Sequence, residues 1–133
     1  MAKATTPPPE LKSNKRNWPI WTADKVEQTA ISDLNLYDNQ VRTHSDQHIS
    51  QLAEAITTFG FVVPVIIDGK NNVVTGHGRI EAAKRLGLTM IPTICANHLT
   101  PAQVKAYRIA DNRLAELSDW NEDNLLIELG DLI

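Results

Sequence analysis

Cys95 is the one thiol in the chain, so no internal disulfide forms and a cysteine-rich zinc site is excluded. No apolar run approaches the roughly 18 residues that a membrane-spanning helix needs. The opening residues, MAKATTPPPELKSNKRN, lack the apolar stretch of a signal peptide. Together these absences lead to the expectation of a cytoplasmic protein with no membrane partner. A basic excess is also missing. The formal charge is −3, and it is unevenly spread: residues 1–30 carry five Lys/Arg against three Asp/Glu, residues 31–115 eight against seven, and residues 116–133 none against six. Bulk electrostatics therefore gives no support for tight, autonomous binding to duplex DNA. No internal repeat is present. A Walker loop and a dinucleotide fingerprint are absent too, since neither Gly-x-x-x-x-Gly-Lys-Ser/Thr nor Gly-x-Gly-x-x-Gly occurs.

What is present suffices for one domain: 133 residues, 42% of them hydrophobic. Residues 1–17, with three consecutive prolines, read as a flexible tail, and residues 18–133 as the domain. Trp18-Pro19-Ile20-Trp21 concentrates apolar area and is expected to clamp onto that domain. A strand is expected over 28–34, followed by a polar loop. Ser45 or Asp46 caps a helix whose Ile49, Leu52, Ala53, Ile56 and Phe59 share one face, with Gly60 ending it. The apolar stretch 61–67 and Val73–Thr75 read as a hairpin around Asp68–Asn72. A helix follows, with Ile80, Ala83 and Leu86 inward and Gly87 at its left-handed end. Then come a strand over 90–96, a long helix opened by Thr100-Pro101 and running to about Leu117, and an acidic helix capped by Ser118-Asp119. The alternation describes a mixed α+β fold with long C-terminal helices.

The chemistry gathers at Thr75-Gly76-His77-Gly78-Arg79. A strand, a glycine turn and a helix N-terminus form an anion site, because backbone N–H groups and the helix dipole both favour negative charge there. Arg79 is a cation at the helix end that repels cations, and an anion between the two resolves the conflict. The alternative is a plain turn whose glycines serve geometry alone. His77 would donate from a ring nitrogen to a phosphate. On the long helix, positions 104, 107, 111 and 114 share a face, so Asp111 interrupts an apolar stripe. A carboxylate buried there needs a partner, either an arginine or a Mg²⁺ ion beside a phosphate. Lys105, Arg108 and Asn112 are expected on an adjacent polar, basic face, with Arg113 next to them. His44 and His48 are four apart but straddle a cap, which argues against a metal pair. Cys95 reads as a small core residue.

These residues, in this order, resemble the ParB/sulfiredoxin superfamily. The resemblance runs from about Ile31 to Leu129: Asn39-x-x-Arg42, a helix ending at Gly60, GFVVP, the hairpin, GHGR with EAAKRLG, and IADNRL. It looks most like the ParB-like domain that precedes bacterial and phage DNA-modification methyltransferases, where GHGR and ADNR are typical. In ParB partition proteins a GERR motif holds the phosphates of CTP, and an ENxQR motif assists the metal. Here Gly76 and Arg79 keep the ends of the first motif, with His77 and Gly78 between them, and Asp111 and Asn112 fall on the Glu-Asn pair. Val63 stands where the family's GxxQP motif has Gln. Sulfiredoxins use GCHR with a reactive cysteine; His77 occupies that position, so sulfiredoxin activity is not expected.

The resemblance implies a nucleoside triphosphate, CTP or ATP, with Mg²⁺. Thr75, Gly76, His77, Gly78, Arg79, Asn112, Arg113 and Arg42 would hold the nucleotide, and Asp111 and Asn112 the metal. DNA would be the partner, directly or through a linked methyltransferase domain, with a homodimer as a further assembly. The leading expectation is a nucleotide-phosphate-binding module serving DNA modification or segregation, non-catalytic or a weak NTPase. The alternative is an enzyme of the same fold, a nuclease or a nucleotide-dependent phosphotransferase, with Asp111 as its candidate catalytic residue. A third reading is a dimerisation or docking domain that uses the acidic C-terminal helix.

Overall fold

A computed structural model describes residues 25–37 and 43–132. The expected tail over 1–17, the Trp18–Trp21 cluster, Asn39 and Arg42 lie outside the described residues. Within them the order is β1 (Glu27–Ala30), a 3-10 turn (Ile31–Asp33), α1 (Asp46–Phe59), β2 (Val65–Ile67), β3 (Val73–Thr75), α2 (His77–Arg85), β4 (Met90–Cys95), α3 (Pro101–Leu117) and α4 (Glu122–Asp131). The strands form one mixed sheet in the order β1-β4-β2-β3. Antiparallel pairs β1/β4 and β2/β3 flank a parallel centre in which Val65, Ile66 and Ile67 face Thr93, Ile94 and Cys95. This is the mixed α+β architecture expected from the alternation of patterns.

The connections explain the topology. Asp68 closes the β2–β3 hairpin: one carboxylate oxygen accepts from the Lys70 and Asn72 N–H groups at 2.8 and 2.9 Å, the other from the Asn72 amide at 2.9 Å. Burial works against ionisation of Asp68, yet the bonds from Asn72 and Lys70 outweigh it and hold the carboxyl below its usual range. β3 then runs into α2, which carries the chain back so that β4 lies parallel beside β2, as a parallel pair requires a crossover. α2 ends in a Schellman motif, with Gly87 at φ 77° and its N–H on Lys84 O at 3.0 Å, while the Leu88 N–H reaches Ala83 O at 3.0 Å. The core forms where α2 meets the sheet: Val65, Ile67, Val73, Ile80, Ala83 and Ile91 are buried together, with Ile31, Leu34, Phe61 and Cys95 packed against them. Cys95 thus fills core space, as expected.

Several boundaries differ from expectation for identifiable reasons. The strand over 28–34 stops at Ala30, because Leu34 N–H turns back to Ile31 O at 3.1 Å. The strand over 61–67 begins only at Val65, since Pro64 has no N–H for a ladder. Ser45 caps α1, accepting the His48 N–H at 3.0 Å, but the apolar face of α1 ends before Phe59. That ring is exposed, and Phe61 reaches the core instead. Leu86 is the C-terminal cap of α2 and is exposed, while Ala82 joins Ile80 and Ala83 inside. Asn121, and not Ser118-Asp119, caps α4 by accepting the Asn124 N–H at 3.1 Å.

Arg108 holds α3 to the sheet edge. Its Nε donates to Val74 O at 2.9 Å and its Nη2 to Val73 O at 2.6 Å, and the guanidinium lies 3.7 Å over the centre of the Tyr37 ring. The residue is buried. The expectation that placed Arg108 on an exposed basic face is therefore corrected: its partners are main-chain carbonyls. Replacing it by alanine should cost about 3 kcal/mol, because two buried carbonyls lose a charged donor. Urea denaturation checks this, and a loss below about 1 kcal/mol would mean that water replaces the guanidinium on both oxygens.

Candidate functional site

Gly76 sets the geometry of the strand-turn-helix junction. Its φ of 110° suits glycine alone, and a Cβ there would lie 2.9 Å from Val65 Cγ2. The turn therefore presses against β2 at the start of α2. No side chain caps this helix end and no acidic residue occupies its first turn, which leaves its partial positive charge uncompensated. Gly78 is glycine for another reason. A Cβ there would meet His44 Cε1 at 2.9 Å and Leu52 Cδ1 at 3.1 Å, so its absence lets α2 and the start of α1 approach.

These groups open into a cavity of about 440 Å³. Thr75, Gly76, His77, Gly78, Arg79, Asp111 and Asn112 all line it, so two stretches more than thirty residues apart meet on one wall, as the sequence reading anticipated. Arg113 does not line it. That side chain is exposed and pairs with Glu116 at 3.3 Å, and it is withdrawn from the site. Arg42 lies outside the described residues. Arg79 is half-buried, and its guanidinium makes no hydrogen bond or ion pair among the described residues. The cavity thus combines an uncapped helix end with an uncommitted cation.

Asp111 is exposed at the cavity rim, not buried. The buried line of α3 runs through Val104 and Arg108, with Tyr107 and Asn112 half-buried beside it, so the helix is rotated by about one residue from the face inferred at 104, 107, 111 and 114. Burial, followed by the nearby Asp111 carboxylate, raises the Tyr107 pKa. Asn112 donates to Arg108 O at 2.9 Å. Among the described residues no group of three or more His, Cys, Asp or Glu side chains is arranged to hold a metal ion. Asp111 with Asn112 instead offers one carboxylate and one amide, the sparse protein contribution that suits Mg²⁺ when phosphates supply the remaining oxygens.

His77 uses one ring nitrogen to hold the turn and keeps the other as a donor. Its Nε2 accepts the Tyr37 N–H at 3.1 Å, so the proton of the neutral ring sits on Nδ1. Burial, then the charge of Arg108, then His44 push its pKa down to about 4. His44 and His48 stack with ring centres 5.2 Å apart and form part of the cavity wall. Sequence reasoning discounted this pair as metal ligands and did not place it at the site. The i, i+4 spacing was the available signal, although His44 precedes the helix.

A histidine that stays neutral in the folded state but titrates near its ordinary value when unfolded makes folding weaker in acid. The unfolded chain takes up the proton first, so the contribution of His77 is complete above about pH 6.5 and falls progressively towards about pH 4. Wild-type stability measured by urea denaturation at pH 7 and pH 5 should drop more than that of His77→Gln. Equal drops would show that the ring is not held neutral.

The known proteins similar to this chain agree with its fold. The protein of Escherichia coli K12 named ParB-like nuclease domain-containing protein YnaK is 38% identical over 79 residues, covering 59% of this chain and 91% of YnaK. The probable chromosome 2-partitioning protein ParB of Deinococcus radiodurans is 28% identical over 94 residues, 68% of this chain but 32% of that protein. The chain thus spans nearly all of YnaK and about a third of the partitioning protein. In structure it is similar to a C-terminally truncated ParB from Caulobacter crescentus complexed with CTP-γ-S, with a TM-score of 0.63 and 24% identity over 73% of this chain and 56% of that one. A second structure of the Caulobacter protein, complexed to the centromeric parS site, gives a TM-score of 0.56 at 22% identity, covering 71% and 50%. The ParB N-terminal domain pattern matches residues 21–112, and the chain belongs to that family.

Proposed function

We propose that the chain is a nucleoside-triphosphate-binding module of a DNA segregation or DNA-modification system, with the triphosphate on the α2 N-terminus. The observation that carries this reading is the convergence, in one cavity, of an uncapped helix end, the uncommitted Arg79 and the Asp111-Asn112 pair from α3. Backbone N–H groups of the first turn would bind phosphate oxygens, Arg79 would supply charge-assisted bonds to them, and Asp111 and Asn112 are the residues that would hold Mg²⁺. Mg²⁺, when bound, neutralises phosphate charge. His77 braces the turn through Tyr37 and has Nδ1–H as its remaining donor.

The CTP-γ-S complex of the Caulobacter relative makes CTP the first nucleotide to test, and its parS complex makes DNA the first macromolecular partner. A place beside a methyltransferase rests on the GHGR and ADNR motifs, and a homodimer on family resemblance. In a thermal-shift series of CTP, ATP, GTP and ADP, with and without Mg²⁺, a nucleotide at 100 times its dissociation constant should stabilise the protein by roughly 2.7 kcal/mol. Arg79→Ala should abolish most of that stabilisation. No shift with any nucleotide, or an undiminished shift in the variant, rejects the assignment.

A nuclease reading is favoured by one observation, the 38% identity to a protein named for a nuclease domain, together with Asp111 at the rim. It requires metal-dependent cleavage of plasmid or single-stranded DNA that disappears in Asp111→Ala. Activity that persists in the variant would arise from another site or a contaminant.

A further inference from the structure

Arg108 lines two cavities. One is the candidate nucleotide site; the other, of about 450 Å³, is walled by the segment after the 3-10 turn, the β2–β3 hairpin, the loop after β4 and the first turns of α3. The fold's own bonds hold these walls together. Asn35 N–H donates to Asn71 O at 2.8 Å, its carbonyl accepts the Val73 N–H at 2.8 Å, and its Nδ2 donates to Lys70 O at 3.1 Å. On the other side of the hairpin a Cβ on Gly69 would lie 3.3 Å from Asn97 Cβ, so hairpin and loop approach closely. The opening of α3 is fixed by a reciprocal cap, with Thr100 N–H on Gln103 Oε1 at 2.9 Å and Gln103 N–H on Thr100 Oγ1 at 3.2 Å. The space is therefore pre-formed, and its volume falls in the range of small-molecule sites.

The lining has two characters. Leu36, Tyr37, Leu99, Pro101 and Val104 give an apolar wall, with Leu36 left 40% exposed. Lys70 and Lys105 line the same space, both exposed, and neither forms an ion pair among the described residues. Asp68 is the one carboxylate in the lining, and three donors already occupy it. A cationic ligand would thus meet two ammonium groups and no open carboxylate. An inorganic anion would satisfy the lysines and leave the apolar wall in water. We propose that this cavity binds a small organic anion with an apolar body, of which an aromatic carboxylate is the simplest form. The ring lies against Leu36, Leu99 and Pro101, and the carboxylate takes charge-assisted bonds from Lys70 and Lys105. Asn97, whose amide makes no hydrogen bond among the described residues, offers a further polar contact. The proposal is independent of the nucleotide reading, since it uses none of the residues from Thr75 to Arg79.

Titration of the ¹⁵N-labelled full chain, followed by amide chemical shifts, tests the proposal with benzoate and cinnamate as probes and acetate, benzyl alcohol and benzylamine as controls. Both probes should give saturable shifts at Leu36, Lys70, Asn97 and Lys105. Acetate lacks the apolar body, benzyl alcohol lacks the charge and benzylamine reverses it, so each should bind several-fold more weakly. The doubly substituted Lys70→Gln, Lys105→Gln chain should lose affinity for benzoate several-fold. Leu36→Trp, which fills the cavity from an exposed position, should abolish the benzoate shifts at Lys70, Asn97 and Lys105. Both variants should keep a dispersed amide spectrum, because all three substituted side chains are exposed. Absence of saturable shifts with both probes, equal binding of any control, or undiminished affinity in either variant overturns the proposal. Shifts confined to Gly76–Arg79 overturn it as well, and would place the anion in the first cavity.

Discussion

A guanidinium occupies the place where a further strand would otherwise pair. Arg108 donates to the carbonyls of Val73 and Val74 on the outer edge of β3 and lies over Tyr37, so one side chain joins α3, the sheet and the segment after the 3-10 turn. Tyr37 in turn gives its N–H to His77 in the first turn of α2. Of these elements, α3, the sheet and the first turn of α2 line the cavity. Withdrawing a charge from water is costly, and burial lowers the Arg108 pKa, although Tyr37 and Asp68 act in the opposite sense. Two carbonyl acceptors and an aromatic face offset that cost, with no carboxylate in direct ion-pair contact among the described residues.

The two glycines of the turn divide their work. Gly76 is fixed by its positive φ and by contact with Val65, and so by the position of β2; Gly78 is fixed by His44 and Leu52, and so by the approach of α1. A motif that looks like one anion cradle is thus also the packing junction of strand and helix pair. Packing by itself requires glycine at both positions.

Features with a local cause were legible in the sequence. Ser45 and Thr100-Pro101 cap helices because side-chain oxygens and a missing N–H act within a few residues, and Gly87 ends α2 for a reason contained in its own backbone. The meeting of Gly76–Arg79 with Asp111 and Asn112 was legible through the order of motifs, which carries tertiary information that spacing lacks. Arg108 was not legible: its partners are carbonyl oxygens, which every residue possesses and no sequence pattern marks. Misplacing it on the surface rotated the inferred face of α3 and buried Asp111, so the two errors have one origin. Phe59 and Phe61 exchanged roles for a similar reason, because Gly60, at φ 89°, turns the chain between them and helical periodicity stops short of that turn.

The ends of the sheet limit how it can grow. β3 offers two of its carbonyls to Arg108, while the Val73 N–H bonds to Asn35 O at 2.8 Å, so a strand arriving there finds main-chain groups already engaged. At the opposite end β1 is four residues long, and its outset carries Lys25 and Glu27 paired at 3.5 Å, charges that discourage an incoming strand. A sheet edged in this way is a poor template for a strand from another copy. Association of this domain through side-chain surfaces would leave every strand pairing intact.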